Sequence, residues 1–370
     1  MPEKEEILKL LGFHLIPKEE GWEVEVPSYR KDIHETIDLI EEIARVKGYD
    51  FFPSTLPGGK TPPYHKEEEK VIREVKEILV RMGLWEVITY SFIPLSFLEK
   101  TGWEIPSDVL RVSNPLSSDW EILRFSLIPG LLLISQSNLL KGNQDFKFFE
   151  VGKIYHMGPQ GPWEEYSAGG VLSGKWQKCG WMGEDISSSL FHARGIVEKL
   201  IDNWEIQGEW KAKVDPVFQP FLVFEIDNEV MGWVGELRAN VREALDIENP
   251  LFFWEWKLSP LFDLPLKTKF FQGLVSFPPV KRDLSLLVPE HLSQKMVEET
   301  IKKATGELLE EIYLFDLYRG KPVPEGFKSL TYSLIFRSRE KTLSDEEVSK
   351  IIEDVIEELA KKGIKVRGRE

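Results

Sequence analysis

Five carboxylates, Asp32, Glu35, Asp38, Glu41 and Glu42, fall within eleven residues of the stretch RKDIHETIDLIEEIARVKGYD, residues 30–50. An all-oxygen, acid-rich cradle is what a hard cation such as Mg²⁺ or Ca²⁺ takes. With residues 36–46 helical, Ile37, Ile40, Ile43 and Ala44 make the buried stripe, and Asp38, Glu41 and Glu42 stand at i, i+3 and i+4 on an adjacent face. Asp32 precedes that helix and reaches the same face if the chain folds back. The same residues also read as a solvated face, with Asp38 favouring the helix dipole and Glu41 pairing with Arg45. Spacing leaves both readings open.

A second set lies towards the C-terminus: Lys281, Arg282, Arg319, Lys321, Lys328, Arg337, Arg339 and Lys341, interleaved with Phe315, Tyr318 and Phe327. Cations for phosphates and rings for unstacked bases suit an RNA. The plainer reading puts the rings in a core and the cations in water. Other chemistries find no foothold. The sequence has no GxxxxGK[ST] loop, no GxGxxG after a strand, no HExxH pair and no GxSxG elbow, and its six histidines are scattered. A hydrolase or an oxidoreductase with a standard cofactor motif is disfavoured.

These side chains need elements to position them, and 370 residues are too many for one ordinary core. With 42% hydrophobic residues, 12 Trp and 22 Phe, there is apolar surface for two or three folded domains. A single cysteine, Cys179, excludes an intrachain disulfide and fits a reducing compartment, so a cytoplasmic protein is expected. No apolar run reaches membrane-spanning length, and no membrane role is expected. The net charge of -15 argues against general nucleic-acid binding. Yet of the chain's 47 basic and 62 acidic residues, 17 and 18 lie in 274–370, leaving 30 against 44 elsewhere, so an RNA surface belongs on the C-terminal part.

Punctuation divides the chain in three, at 1–64, 65–273 and 274–370. FFPSTLPGGKTPPYHKEEEK, residues 51–70, reads as a linker, and a helix follows from about His65 to Met82, stopping at Gly83. The middle segment mixes β-rich runs (WEVITYSFI, FKFFEVGKIYHM, FLVFEIDNEVMGWVGEL, PLFFWEWKL) with helices such as SLFHARGIVEKLIDNW, an antiparallel sheet flanked by helices. The last segment orders as βαββαβ, a ferredoxin-like split fold, with a capping box Ser344/Glu347 on its second helix and Gly363 closing it. The fold class is α+β.

VPSYRKDIHETIDLIEEIARVKGYDFFP, VSNPLSSDWEILRFSLIPGLL, FKFFEVGKIY, FPPVKRDLSLLVP, LFDLYRGKPVPEGFKSLTYSLIFRSREKTLSDEEV and IKVRG resemble, in order, the C-terminal portion of the phenylalanyl-tRNA synthetase β subunits. The resemblance covers essentially the whole chain. It implies a small N-terminal α/β domain, a degenerate class II synthetase-like module and a ferredoxin-fold anticodon-binding domain. It also implies a magnesium ion on Asp32, Asp38, Glu41 and Glu42, which tips the reading of the acidic stretch. Catalysis and ATP would belong to an α subunit within an (αβ)₂ heterotetramer, leaving no catalytic residue here. In keeping with that, Arg124 in ILRFSL lacks an Arg-x-Glu pairing, and no Gly-rich segment ending in Arg follows it. For tRNA(Phe), the expected contacts are Lys281, Arg282, Tyr318, Arg319, Lys328 and Arg337. The family's tRNA-binding oligonucleotide fold and editing domain have no counterpart in these residues, so proofreading is not expected of them. PVFQPF and VGELRANV also depart from the family's His-Pro-Gly and His-Pro patterns. The alternative is a freestanding RNA-binding or regulatory paralogue that needs no α subunit.

Overall fold

A computed structural model describes residues 2–56, 58, 66–264 and 273–367. The expected boundary at 64/65 and eight of the twenty linker residues, 57 and 59–65, lie outside these residues. The chain divides into two compact units, residues 1–266 and 267–370, so the first two expected segments share one unit.

The N-terminal part of the first unit is a helix α1 (Pro2–Leu10), a hairpin of β1 (His14–Lys18) and β2 (Gly21–Glu25), and a helix α2 (Thr36–Lys47). Its small core is Leu8, Phe13, Leu15 and Ile33, with Leu39 and Ile43 of α2 packed on it. Here α2 departs from the expected stripe. Ile37 and Ile40 are 61% and 53% exposed, whereas Glu42 is buried. The helix is turned so that Glu42 faces inward, towards Arg30, and two of the three isoleucines expected inside, Ile37 and Ile40, face water while Ile43 stays on the core.

The rest of the unit is built on a seven-stranded sheet in the order β10-β11-β12-β13-β7-β6-β3. After α3 (Glu67–Arg81) come β3 (Trp85–Glu86), β4 (Phe92–Ile93), α4 (Leu95–Thr101), β5 (Ile122–Leu123) and α5 (Ile128–Leu140). Then follow the long hairpin β6 (Phe146–Gly158) and β7 (Gly161–Ser173), a small pair β8 (Lys175–Gln177) and β9 (Ile186–Ser187), and α6 (Leu190–Trp204). The unit closes with β10 (Glu209–Lys213), β11 (Phe218–Ile226), β12 (Glu229–Leu237), α7 (Ala239–Ala244) and β13 (Leu251–Lys257). All seven strands pair antiparallel except β3, which runs parallel to β6. The DNE turn is a two-residue hairpin loop: Asp227 and Asn228 both take positive φ, 50° and 69°, as a turn matching the strand twist requires. Both sheet faces are covered. Phe149, Trp254 and Trp256 pack with α3 and α6 residues on one side, and Phe148, Leu251 and Phe253 with α5 residues on the other. Double burial is why β13 reads as the nearly unbroken apolar run LFFWEWK.

The second unit has the expected βαββαβ order: β14 (Val280–Pro289), α8 (Gln294–Thr305), β15 (Leu309–Tyr318), β16 (Phe327–Phe336), α9 (Asp345–Ala360) and β17 (Lys365–Val366). The sheet runs β15-β16-β14-β17, all antiparallel. The capping box forms, with Ser344 Oγ accepting from the Glu347 N–H and Glu347 Oε2 from the Ser344 N–H. Val297, Ile301, Val348, Val355 and Leu359 of the two helices bury Leu284, Leu286, Leu330, Tyr332 and Phe336.

Candidate functional site

In the acidic stretch, Arg30 stands at the centre. Its guanidinium meets both oxygens of Asp32 (Nε to Oδ1 3.0 Å, Nη2 to Oδ2 2.7 Å) and both of Glu42 (Nη2 to Oε1 3.0 Å, Nη1 to Oε2 3.2 Å). Arg45 adds a second bond to Glu42 Oε2 at 2.7 Å. These charge-assisted bonds hold the Asp32 and Glu42 carboxyls down to about 2. Asp38 reaches back to the start of α2, where its Oδ2 accepts the backbone N–H groups of His34 and Glu35 at 2.8 Å, which lowers its pKa. Glu41 points into solvent. As a donor set the four are right for magnesium, all carboxylate oxygen. As an arrangement they do not fit it: two are turned onto a guanidinium and one onto backbone amides. Among the described residues no three His, Cys, Asp or Glu side chains are gathered to hold a metal ion.

The seven-stranded sheet carries two buried polar clusters. Arg124, just after β5, and Glu150, on β6, form an ion pair at 2.6 Å with side chains only 7% and 3% exposed. Every neighbour contributes. Arg124 Nε donates to the Lys153 carbonyl at 2.8 Å, Nη1 also approaches Thr89 Oγ1 at 3.3 Å, and the Thr89 hydroxyl donates to Glu150 Oε2 at 2.7 Å. Two glycines make the room. A Cβ on Gly152 would lie 2.4 Å from Arg124 Nη2, and one on Gly130 would lie 2.4 Å from Thr89 Oγ1. Arg124 is thus consumed by the fold and presents no charge to a phosphate.

Glu255, in the middle of β13, is the second cluster. It accepts from the Ser126 hydroxyl (2.7 Å), the Leu127 N–H (2.8 Å) and the Ser167 hydroxyl (3.3 Å), and so anchors the start of α5 to the sheet. Burial pushes its carboxyl up despite these donors. Glu150 and Glu255 were not among the residues singled out from the sequence. The available signal was a lone acid inside an apolar strand, FKFFEV and LFFWEWK.

The expected tRNA contacts of the second unit fall at two ends of its sheet. At one end Arg319 makes a two-nitrogen contact with Glu290 (3.0 and 2.7 Å), and Tyr318 donates its hydroxyl to the Lys321 carbonyl at 2.7 Å. Lys328, at this end too, is buried, its ammonium given to the Glu290 and Leu292 carbonyls at 3.0 and 2.8 Å. It braces the turn before α8 and does not project outward. At the other end, Arg337 pairs with Glu310 at 2.9 Å, Arg282 with Asp345, and Lys281 stands 3.9 Å from Asp283. The span of β16 separates the two groups by roughly 30 Å.

A helix-flanked antiparallel sheet with a buried Arg124–Glu150 pair beside it, followed in the chain by a ferredoxin-like unit, agrees with the synthetase-related class that the sequence resembles. The comparisons with known proteins make this specific. In chain order, residues 2–49 match the tRNA synthetase B5 domain, 52–258 the phenylalanyl tRNA synthetase beta chain CLM domain, and 276–367 the ferredoxin-fold anticodon binding domain. The chain belongs to the phenylalanyl-tRNA synthetase beta chain family. It is 33% identical over 358 residues to the phenylalanine–tRNA ligase beta subunit of Syntrophotalea carbinolica, covering 93% of this chain and 44% of that one. The corresponding beta subunit of Thermotoga maritima is 30% identical over 358 residues, 95% of this chain and 45% of that one. The chain therefore spans less than half the length of the curated relatives it matches.

Proposed function

We propose that this chain acts as the non-catalytic β side of a phenylalanine–tRNA ligase in the cytoplasm, supporting ATP-dependent attachment of phenylalanine to tRNA(Phe). ATP is bound by an α subunit, and the assembly is (αβ)₂. The observation that carries the division of labour is the sequestered Arg124: the one arginine of ILRFSL is spent on Glu150, so adenylation has no cation from it. The α chain docks on the surface where Ile88 and Tyr90 stand exposed in a groove also lined by Phe92, Trp120, Leu133 and Ile134. Rings and branched side chains left in water next to a concave apolar wall are what a partner subunit buries. The second unit holds the tRNA, with Lys281, Arg282, Arg319 and Arg337 supplying phosphate contacts from the two ends of the sheet and Tyr318 near one of them. For the acidic stretch, a magnesium ion on Asp32, Asp38, Glu41 and Glu42 requires Arg30 to give up Asp32 and Glu42.

Co-expression with the α chain of a phenylalanine–tRNA ligase tests the reading. The two chains are expected to co-purify and to charge tRNA(Phe), the present chain alone giving no phenylalanine-dependent pyrophosphate exchange. Ile88→Asp with Tyr90→Asp should release the α chain. Exchange by the isolated chain, or association untouched by both substitutions, would refute the proposal.

A further inference from the structure

We propose that His156 is a proton-operated latch: as an imidazolium it ties residues 104–109 to the outer end of the β6–β7 hairpin, and as a neutral ring it lets them go. His156 lies near the end of β6, and its two ring nitrogens meet carboxylates from two different segments. Nδ1 stands 3.2 Å from Asp108 Oδ2, in the connection between α4 and β5, and Nε2 stands 3.6 Å from Glu165 Oε1 on β7. At that length the Glu165 contact is an ion pair and not a hydrogen bond, and the buried Nε2 has no hydrogen-bond partner among the described residues. The ring also stacks on Trp163, its cross-strand partner, with centres 4.6 Å apart and planes 22° from parallel. An ionised carboxylate can only accept. An imidazolium offers an N–H to each side, whereas either neutral tautomer turns a bare lone pair towards one of the two acids.

The charges around the ring fix the sign. Glu165 first, and Asp108 after it, hold the imidazole pKa above the ordinary 6.5 against the opposite pull of burial. Lys257 on β13 reaches the same Glu165 oxygen at 3.8 Å and takes part of its charge, and Glu255, deeper on that strand, is pushed up by Glu165 on top of its own burial. Arg124 accepts the Tyr155 N–H on its carbonyl, but its guanidinium is turned to Glu150. Lys153 and Glu164 pair with each other on the opposite face of the hairpin. A raised folded value means that the tie is complete below 6.5 and is lost as pH climbs through that folded value. What it ties is narrow. Trp103 is seated edge-on against Phe218, and the Leu110 carbonyl takes the Leu123 N–H, so both ends of the segment are fixed independently. Between them Ile105 and Val109 only partly enter the core, and Asp108 grips the hairpin, its carbonyl accepting the Met157 N–H at 2.7 Å and its carboxylate facing the ring.

Hydrogen exchange of the full chain, read by mass spectrometry from pH 6 to 9 and normalised to the intrinsic rate, tests the latch. Protection in peptides spanning 104–109 and 155–158 should fall roughly threefold to tenfold as pH rises, between the worth of an exposed ion pair and that of a buried charge-assisted hydrogen bond, while the β11–β12 hairpin stays level. His156→Gln, uncharged at every pH, should show the low protection throughout and no trend. Asp108→Asn, at a side chain 43% exposed and so compatible with the fold, should do the same in 104–109. It should also bring the titration of His156 down towards 6.5, followed by NMR of histidine-labelled chain with the His156 signal identified by its loss in His156→Gln. Protection independent of pH in the parent would overturn the latch, as would a fall that persists unchanged in Asp108→Asn. His156 titrating at or below 6.5 in the parent would overturn it as well.

Discussion

Arg124→Met puts the buried pair to a direct test. The substitution leaves Glu150 among apolar groups with the Thr89 hydroxyl as its remaining partner in this cluster, and the carboxylate cannot reach water, since its side chain is 3% exposed. Removing one member of such a pair costs about 3–5 kcal/mol, whereas replacing both by apolar residues of similar volume is close to neutral. For a folded part of about 200 residues each kcal/mol moves the midpoint by about 2–4 °C, so the single variant should melt roughly 6–20 °C lower. Arg124→Met with Glu150→Met should recover most of that loss. Differential scanning calorimetry of the full chain measures both. A single variant as stable as the parent, or a double variant that merely sums two losses, would refute the assignment. Activity supplies the second arm. Reconstituted with an α chain and assayed below its melting point, Arg124→Met should charge tRNA within about twofold of the parent. A group that steadied the transition state itself would cost on the order of a hundredfold or more.

Glu255 should make stability fall as pH rises. Its folded pKa is raised above the ordinary 4.5, so its favourable contribution is complete below 4.5 and is lost as pH climbs through the folded value; Glu255→Gln should flatten that slope in melts run from pH 5 to 9. Glu42 has the opposite sign. Its folded value of about 2 lies below the ordinary 4.5, so its contribution is present above 4.5 and disappears as pH falls from there towards 2; Arg30→Ala should bring acid unfolding of the N-terminal part to higher pH, read by fluorescence of Trp22 with the other tryptophans replaced by Phe. Calorimetric titration of Mg²⁺ into the full chain should give little saturable heat while Arg30 holds Asp32 and Glu42, and Arg30→Gln should raise it; tight binding by the parent with no gain in the variant would overturn that competition. Ser344→Ala should cost the second unit about 1 kcal/mol through the lost cap on α9.

What the sequence disclosed and what it withheld divide along a physical line. Periodicity and turn chemistry are local, and they delivered the βαββαβ order, the capping box and the Asp227-Asn228 hairpin. Pairings between residues far apart are not local. Nothing near Arg124 says that Glu150 answers it from another strand, and nothing in IDLIEEI says that Arg30 will draw Glu42 inward. The error on α2 follows from that. Counting apolar residues at three and four assumes that the buried stripe is the most hydrophobic one, but a buried glutamate with two arginine partners rotates the helix and leaves Ile37 and Ile40 in water. The basic set shows the same limit in reverse, most plainly at Lys328, which is spent inside the fold. Arg319, Lys328 and Arg337 look available in the sequence because Glu290, Leu292 and Glu310, their partners, come from other strands and turns. A charged residue is therefore a poor guide to a surface site until its opposite charges are placed.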